Sequence, residues 1–273
     1  MTSSQPIGIF DSGIGGLTVA YAVTRLLPHE DTIYFGDTAH LPYGDKSTAA
    51  IQAYAVKICN LLLQQQCKVI LIACNSASAA AFELVREYVG SKAKVLNVID
   101  PVIDYLGEHY AHRTIGLIGT KQTVNSNVYR KKTDALNKGI VLNSLATPLL
   151  APMIEEGFFN KNISQAIVDE YLSDEALRGI EALILACTHY PLIKAQIHTH
   201  YQGKVTIIDS SEIVAQSLQG YLAAHHLLNR AASSDDKPTS RQFFVSDYTQ
   251  SFEASTRLFF GERVRLEHYP LWE

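Results

Sequence analysis

The sequence predicts an α/β fold of two similar halves, each a mostly parallel sheet flanked by helices, facing each other about a pseudo-two-fold axis. Three observations lead there. Short apolar runs alternate with helical patterns through most of the 273 residues, as βαβ units do. The runs repeat: Ile7-Gly8-Ile9-Phe10 is echoed by Ile115-Gly116-Leu117-Ile118 at an offset of 108, and Ile33-Tyr34-Phe35 by Ile140-Val141-Leu142 at 107. A third pair, Val69-Ile70-Leu71-Ile72-Ala73-Cys74 and Ala182-Leu183-Ile184-Leu185-Ala186-Cys187, repeats at 113 and ends each time in a cysteine. Those thiols fall at the carboxyl ends of strands, where open α/β sheets keep their ligand crevices.

The elements follow in order. Ile7–Phe10 reads as a strand, then a Gly-rich turn (Asp11-Ser12-Gly13-Ile14-Gly15-Gly16) and a helix to about Leu27. Thr32–Phe35 is a strand leading into a loop, Gly36–Lys46, with Pro42-Tyr43-Gly44. Ser47 is placed to cap a helix reaching about Gln66, with Ile51, Tyr54, Ala55, Ile58 and Leu62 on one face. Lys68–Ala73 is the next strand, followed by a helix over about Ser76–Tyr88 and a strand at Lys94–Val98. Asp100-Pro101 reads as an N-cap with proline at the first helical position. The second set of strands is Thr114–Ile118, Ile140–Ser144, Ala182–Leu185 and Val205–Ile208. Ala231–Ser240, with Ser233-Ser234-Asp235-Asp236-Lys237-Pro238, reads as an exposed linker, and Gln242–Ser246 and Val264–Glu267 as strands around a short helix.

Composition narrows the function. A net charge of −4 leaves no basic footprint for nucleic acid. No run approaches the ~18 apolar residues of a membrane span, and the first six residues do not begin a signal peptide. Four cysteines, none in a Cys-x-x-Cys pair, form neither a disulfide framework nor a zinc set and fit a reducing cytoplasm. Cys59, on a helix, and Cys67, before a strand, lack a following polar turn and read as structural.

Cys74 and Cys187 are different: each is followed by polar residues, Asn75-Ser76 and Thr188-His189. Two thiols in matched settings suit a reaction that removes a proton from one face of a carbon and delivers one to the other. A helix N-terminus after each would favour thiolate, and His189 can hydrogen-bond Cys187 or serve as its cation. Buried packing thiols, and helix capping by Asp11 or Ser12, are the plainer alternatives. A dinucleotide fingerprint is rejected, because Thr18 stands where the third glycine of G-x-G-x-x-G belongs after Gly13 and Gly15. A cysteine hydrolase would have to use Cys187 with His189, and the matched second cysteine speaks against it. A non-catalytic amino-acid binding protein is the remaining class. Glu155 and Glu156, taken alone, read as surface charges.

Taken together, Gly8-Ile9-Phe10-Asp11-Ser12-Gly13-Ile14-Gly15-Gly16-Leu17, Gly36-Asp37 with Pro42-Tyr43-Gly44, Ala73-Cys74-Asn75-Ser76-Ala77-Ser78-Ala79 and Leu185-Ala186-Cys187-Thr188-His189-Tyr190-Pro191 resemble the glutamate racemases of the aspartate/glutamate racemase superfamily, over about residues 7–225. One departure is Ser76, where the family usually has threonine. The resemblance implies a cofactor-independent enzyme interconverting L- and D-glutamate, the D-isomer serving peptidoglycan synthesis, with aspartate or another acidic amino acid as the alternative substrate. It implies two α/β domains with the active site in the cleft between them, the second, residues 99–209, inserted within a first of 1–98 and 210–273. Cys74 and Cys187 would be the acid/base pair, with Asp11, Glu155 and His189 assisting. Asp11, Ser12, Tyr43, Gly44, Asn75, Ser76, Thr188 and His189 would contact substrate. The expected partner is the small-molecule substrate, with neither nucleic acid, membrane nor metal, and a homodimer is compatible with the resemblance.

Overall fold

The computed structural model describes residues 1–159, 162–229 and 239–273. Most of the Ala231–Ser240 stretch read as a linker lies outside the described residues. The chain runs β1 (Ile7–Asp11), α1 (Leu17–Leu26), β2 (Thr32–Gly36), α2 (Thr48–Gln64), β3 (Val69–Ile72), α3 (Asn75–Val89), β4 (Lys94–Asn97) and α4 (Asp100–His109). It continues through β5 (Thr114–Gly119), α5 (Lys121–Asn125), α6 (Val128–Ala135), β6 (Val141–Ala146), α7 (Leu150–Glu155), α8 (Asn162–Leu172), β7 (Ala182–Ala186), α9 (Lys194–Tyr201) and β8 (Thr206–Ile208). The last elements are α10 (Ser210–Ala224), β9 (Arg241–Val245), α11 (Gln250–Phe260) and β10 (Glu267–His268).

The strands form two parallel sheets, ordered β10-β9-β2-β1-β3-β4 and β6-β5-β7-β8. β1, β3 and β7 are buried at every position, as parallel strands covered on both faces must be, and for that reason they read as unbroken apolar runs. The block β2-β1-β3-β4 recurs as β6-β5-β7-β8. Register agrees as well: Ile7 pairs with Val69 in the first sheet and Ile115 with Ala182 in the second. The second repeat pair needs a correction. Ile7 faces Thr32 and Ile115 faces Leu142, so Thr32 corresponds to Leu142 and the apparent match of Ile33 with Ile140 is out of register by three residues. Ile140 lies before β6, buried against the core.

Ser47 caps α2 as predicted, its hydroxyl accepting from the Ala50 amide at 3.3 Å. At α4 the prediction fails. Asp100 is already helical, and the Asn97 side chain accepts from the Ile99 and Asp100 amides at 2.8 and 2.9 Å. The Val264–Glu267 strand is displaced to Glu267–His268, because Val264 and Leu266 turn into the core instead of extending the sheet. After the second sheet, α10 packs on α1 and α4, and β9 pairs with β2. No helix among the described residues is long and apolar enough to cross a membrane.

Candidate active site

The two thiols open on one small cavity where the carboxyl ends of the two sheets meet. Ten of the eleven predicted site residues line it: Ser12, Tyr43, Gly44, Cys74, Asn75, Ser76, Glu155, Cys187, Thr188 and His189. The eleventh, Asp11, sits behind the wall, fully buried, with Oδ2 accepting from the Gly16 amide at 2.7 Å and Oδ1 without a hydrogen-bond partner. The cavity volume is about 20 Å³, room for little more than one water. Any amino acid is larger, so its admission requires the walls to part. A cavity of about 380 Å³ lies between α1, α10 and α11, but neither thiol reaches it.

Cys74 is itself the N-cap of α3. Its sulfur accepts from the Ala77 amide at 3.4 Å, and its thiol donates to Ser12 Oγ at 3.7 Å. The helix N-terminus therefore reaches this sulfur as expected, yet the Cys74 thiol is pushed up, not down. Complete burial raises it most, the Asp11 carboxylate raises it further, and the Ala77 and Ser12 hydrogen bonds offset only part. Burial likewise raises Asp11 despite the positive charge at His189 and the amides of Gly16 and Ser12.

Cys187 departs further from the expectation. No α-helix begins at it; a short 3₁₀ turn, Tyr190–Ile193, comes first, and α9 follows. The positive neighbour is instead His189, whose Nδ1 lies 3.6 Å from the sulfur. On its other side, His189 Nε2 is 2.8 Å from Glu155 Oε1, an ion pair in which the carboxylate lies off the N–H direction. Burial disfavours a charged ring, but the Cys187 hydrogen bond and the close negative charge of Glu155 outweigh it and hold His189 well above the usual histidine range. Glu155 ends α7, so this ion pair joins parts of the chain that no sequence spacing connects. Phe259 packs edge-on to the ring, 5.4 Å between centroids. Glycine is needed opposite: a Cβ on Gly15 would collide with the His189 ring and Thr188 Oγ1.

The polar walls come from both sheets. Asn75, which lines the cavity, accepts at Oδ1 from Tyr129 Oη at 2.8 Å, and its Nδ2 is buried with no protein partner. Ser76 Oγ lies 2.8 Å from Thr120 Oγ1, and Thr18 Oγ1 donates to the Thr188 carbonyl at 3.1 Å. Tyr43 is buried with its hydroxyl donating to Asp37 Oδ2 at 2.6 Å. Gly44 sits so close to Thr120 that a Cβ would strike its side chain. Thr120 lines the cavity and was not anticipated. The repeat contains the signal: at the first offset, 108, Thr120 stands after β5 where Ser12 stands after β1. Among the described residues no group of three or more His, Cys, Asp or Glu side chains is arranged to hold a metal ion.

A model of the Asp/Glu/Hydantoin racemase family matches residues 18–218. The chain belongs to this family. Among its members, the glutamate racemase of Chlorobaculum parvum is 40% identical over 268 residues, covering 97% of this chain and 95% of that one. The crystal structure of the Francisella tularensis glutamate racemase in complex with D-glutamate superposes with a TM-score of 0.90 at 38% identity, covering 99% of both chains. A glutamate racemase isoform of Bacillus anthracis gives 0.89 at 32% identity, covering 97% of both. Within the racemase family, then, the likeness extends over the whole two-sheet architecture and includes the segments that carry both thiols.

Proposed function

We propose that this protein is a cofactor-independent glutamate racemase of the cytoplasm, supplying D-glutamate for peptidoglycan, with residues 99–209 forming a domain inserted into 1–98 and 210–273. The observation that carries the reading is the pair of thiols, one from each sheet, opening on a single cavity walled by hydrogen-bond donors. The Francisella relative's complex with D-glutamate supports the substrate.

In this mechanism one cysteine thiolate takes the Cα proton, and the other thiol gives its proton to the opposite face of the resulting carbanion. Each turnover leaves the two sulfurs with exchanged protonation states. The Cα–H is a very weak acid, so negative charge spreading into the α-carboxylate has to be met by fixed donors. Asn75 Nδ2, the hydroxyls of Ser12, Ser76, Thr120 and Thr188, and the amides of the turns are the groups available. The charged His189 sits where it stabilises negative charge on the Cys187 sulfur, and Glu155 keeps that ring charged. On the other side the buried Cys74 thiol is protonated in the substrate-free site and so begins as the proton donor. The substrate ammonium brings the positive charge that Cys74 needs when it takes its turn as base.

Purified protein should racemise L- and D-glutamate, followed by circular dichroism, with aspartate turned over far more slowly. Exhaustive dialysis against a chelator should leave the rate unchanged. Failure to invert either glutamate enantiomer, or loss of activity restored by a metal, overturns the reading.

Glu155→Gln tests the His189 assignment. His189 is charged below its raised pKa and loses that charge as pH rises through it; removing Glu155 takes away one of the raising causes. The alkaline limb of kcat/KM should therefore move to lower pH by roughly one unit. The enantiomers have equal free energy, so kcat/KM must be equal in the two directions and the limb must move equally in both. A difference between directions is expected only in kcat and KM taken separately. An unmoved limb would remove His189 from the proton-transfer machinery.

A further inference from the structure

The chain after residue 239 carries none of the motifs, yet it holds the loop that forms one wall of the cavity. The connection runs through Asp37, which is fully buried beside the site. Its Oδ2 accepts from Tyr43 Oη at 2.6 Å, and both carboxylate oxygens lie 3.0–3.1 Å from His40 Nδ1. Its Oδ1 accepts from two residues of the tail: Ser246 Oγ at 2.7 Å and Trp272 Nε1 at 2.8 Å. The same tail grips the backbone of the loop. The Ala39 amide donates to Ser246 Oγ at 3.0 Å, and the Asp247 amide to Thr38 Oγ1 at 2.9 Å. Trp272 also closes a ring stack: it meets His40 edge-on at 4.5 Å, and His40 stacks on Tyr54 at 4.1 Å.

We propose that Trp272 and Ser246 are positioning residues for the substrate loop, holding Tyr43 and Gly44 against the cavity through Asp37. A carboxylate with all its donors in place is a rigid anchor, and its donors here come from both ends of the chain. Remove the Trp272 donor and Asp37 keeps Tyr43, but with one fewer restraint on where its oxygens point. Small displacements of a substrate-positioning wall cost binding out of proportion to their size. Ground-state binding should suffer more than proton transfer, because Ser246 and Trp272 hold Asp37 and its loop, whereas the thiols sit at the ends of β3 and β7.

The proposal rests on the racemase reading, and the test separates the two. Trp272→Phe keeps an aromatic ring against His40 but removes the N–H donor. It should raise KM for both enantiomers roughly fivefold with kcat within about twofold and the melting temperature nearly unchanged. Tyr43→Phe should raise KM at least as much, and the double variant should be no worse than Tyr43→Phe alone, since both act through one carboxylate. An unchanged KM in Trp272→Phe, multiplying effects in the double variant, or a fall in kcat that tracks lost folded protein each overturns the positioning role. Should the wild type fail to racemise glutamate, the link remains measurable: Trp272 is the single tryptophan of the chain. Tyr43→Phe should then still shift its emission and increase its quenching by acrylamide, and identical spectra would overturn the link.

Discussion

Replacing Cys74 or Cys187 by serine is expected to abolish racemisation in both directions, lowering kcat/KM by at least ~10³-fold, within the ~10²–10⁴ that one general acid or base contributes plus the lost ionisation. Serine keeps the size of the side chain but offers a hydroxyl that does not ionise usefully near neutral pH. Every turnover needs one group to take a proton and another to give one, so neither single variant retains a working direction. Equal stability of the enantiomers imposes the same result: a loss of kcat/KM one way is the same loss the other way. Cys59→Ser and Cys67→Ser are the controls and should turn over nearly as the wild type. Both sit in the α2–β3 core away from the cavity, where burial pushes the Cys67 thiol up to about 12 and Cys59 higher still. In deuterated water the wild-type product should carry deuterium at Cα, delivered by the thiol facing it. Near-native rates for Cys187→Ser would replace the two-thiol mechanism with a one-base or hydrolytic one.

The contrast between these cysteines shows what the sequence makes legible. Strands buried on both faces are continuous apolar runs, so β1, β3, β5 and β7 and the thiols after β3 and β7 stand out without any structure. The capping serine at Ser47 is legible for the same local reason. What the sequence hides is the electrostatics, because charges meet at the cavity from distant stretches. Helix placement alone suggests a lowered thiol at Cys74, whereas burial and Asp11 raise it. The pairing of His189 with Glu155 joins the end of α7 to the turn after β7; the family resemblance marks both residues as assisting groups but says nothing of their pairing. The bonds from Ser246 and Trp272 to Asp37 span more than 200 residues, and no periodicity marks them. Thr120 lies between these cases: it was legible through the repeat offset, but only if the repeat is applied to the turns as well as the strands.

The largest expected loss of stability comes from a pair remote from the chemistry. Lys68 and Glu30 are buried together, with Nζ 2.5 Å from Glu30 Oε2. The ammonium also donates to the Ser3 carbonyl and, at 2.9 Å, to the Leu227 carbonyl. Glu30 Oε1 in turn accepts from the Asn229 amide at 2.7 Å. Four stretches of chain therefore meet at one ion pair: the N-terminal segment, the turn before β2, the start of β3 and the end of α10. Glu30→Ala would leave a buried ammonium with carbonyl partners only, at a cost of about 3–5 kcal/mol. In a chain of this size each kcal/mol lowers the melting temperature by about 2–4 °C, so a fall of roughly 10 °C is expected in a thermal scan. Lys68→Met alone strands the carboxylate and should cost a similar amount. The double variant, Glu30→Leu with Lys68→Met, removes both charges and should recover most of the loss, since a buried pair gains little over well-packed apolar residues. Its kcat should remain close to that of the wild type, because the pair lies before β2 and β3 and the thiols lie beyond the opposite ends of their strands. Single variants that melt like the wild type would show that water reaches the pair and that its burial contributes nothing to the fold.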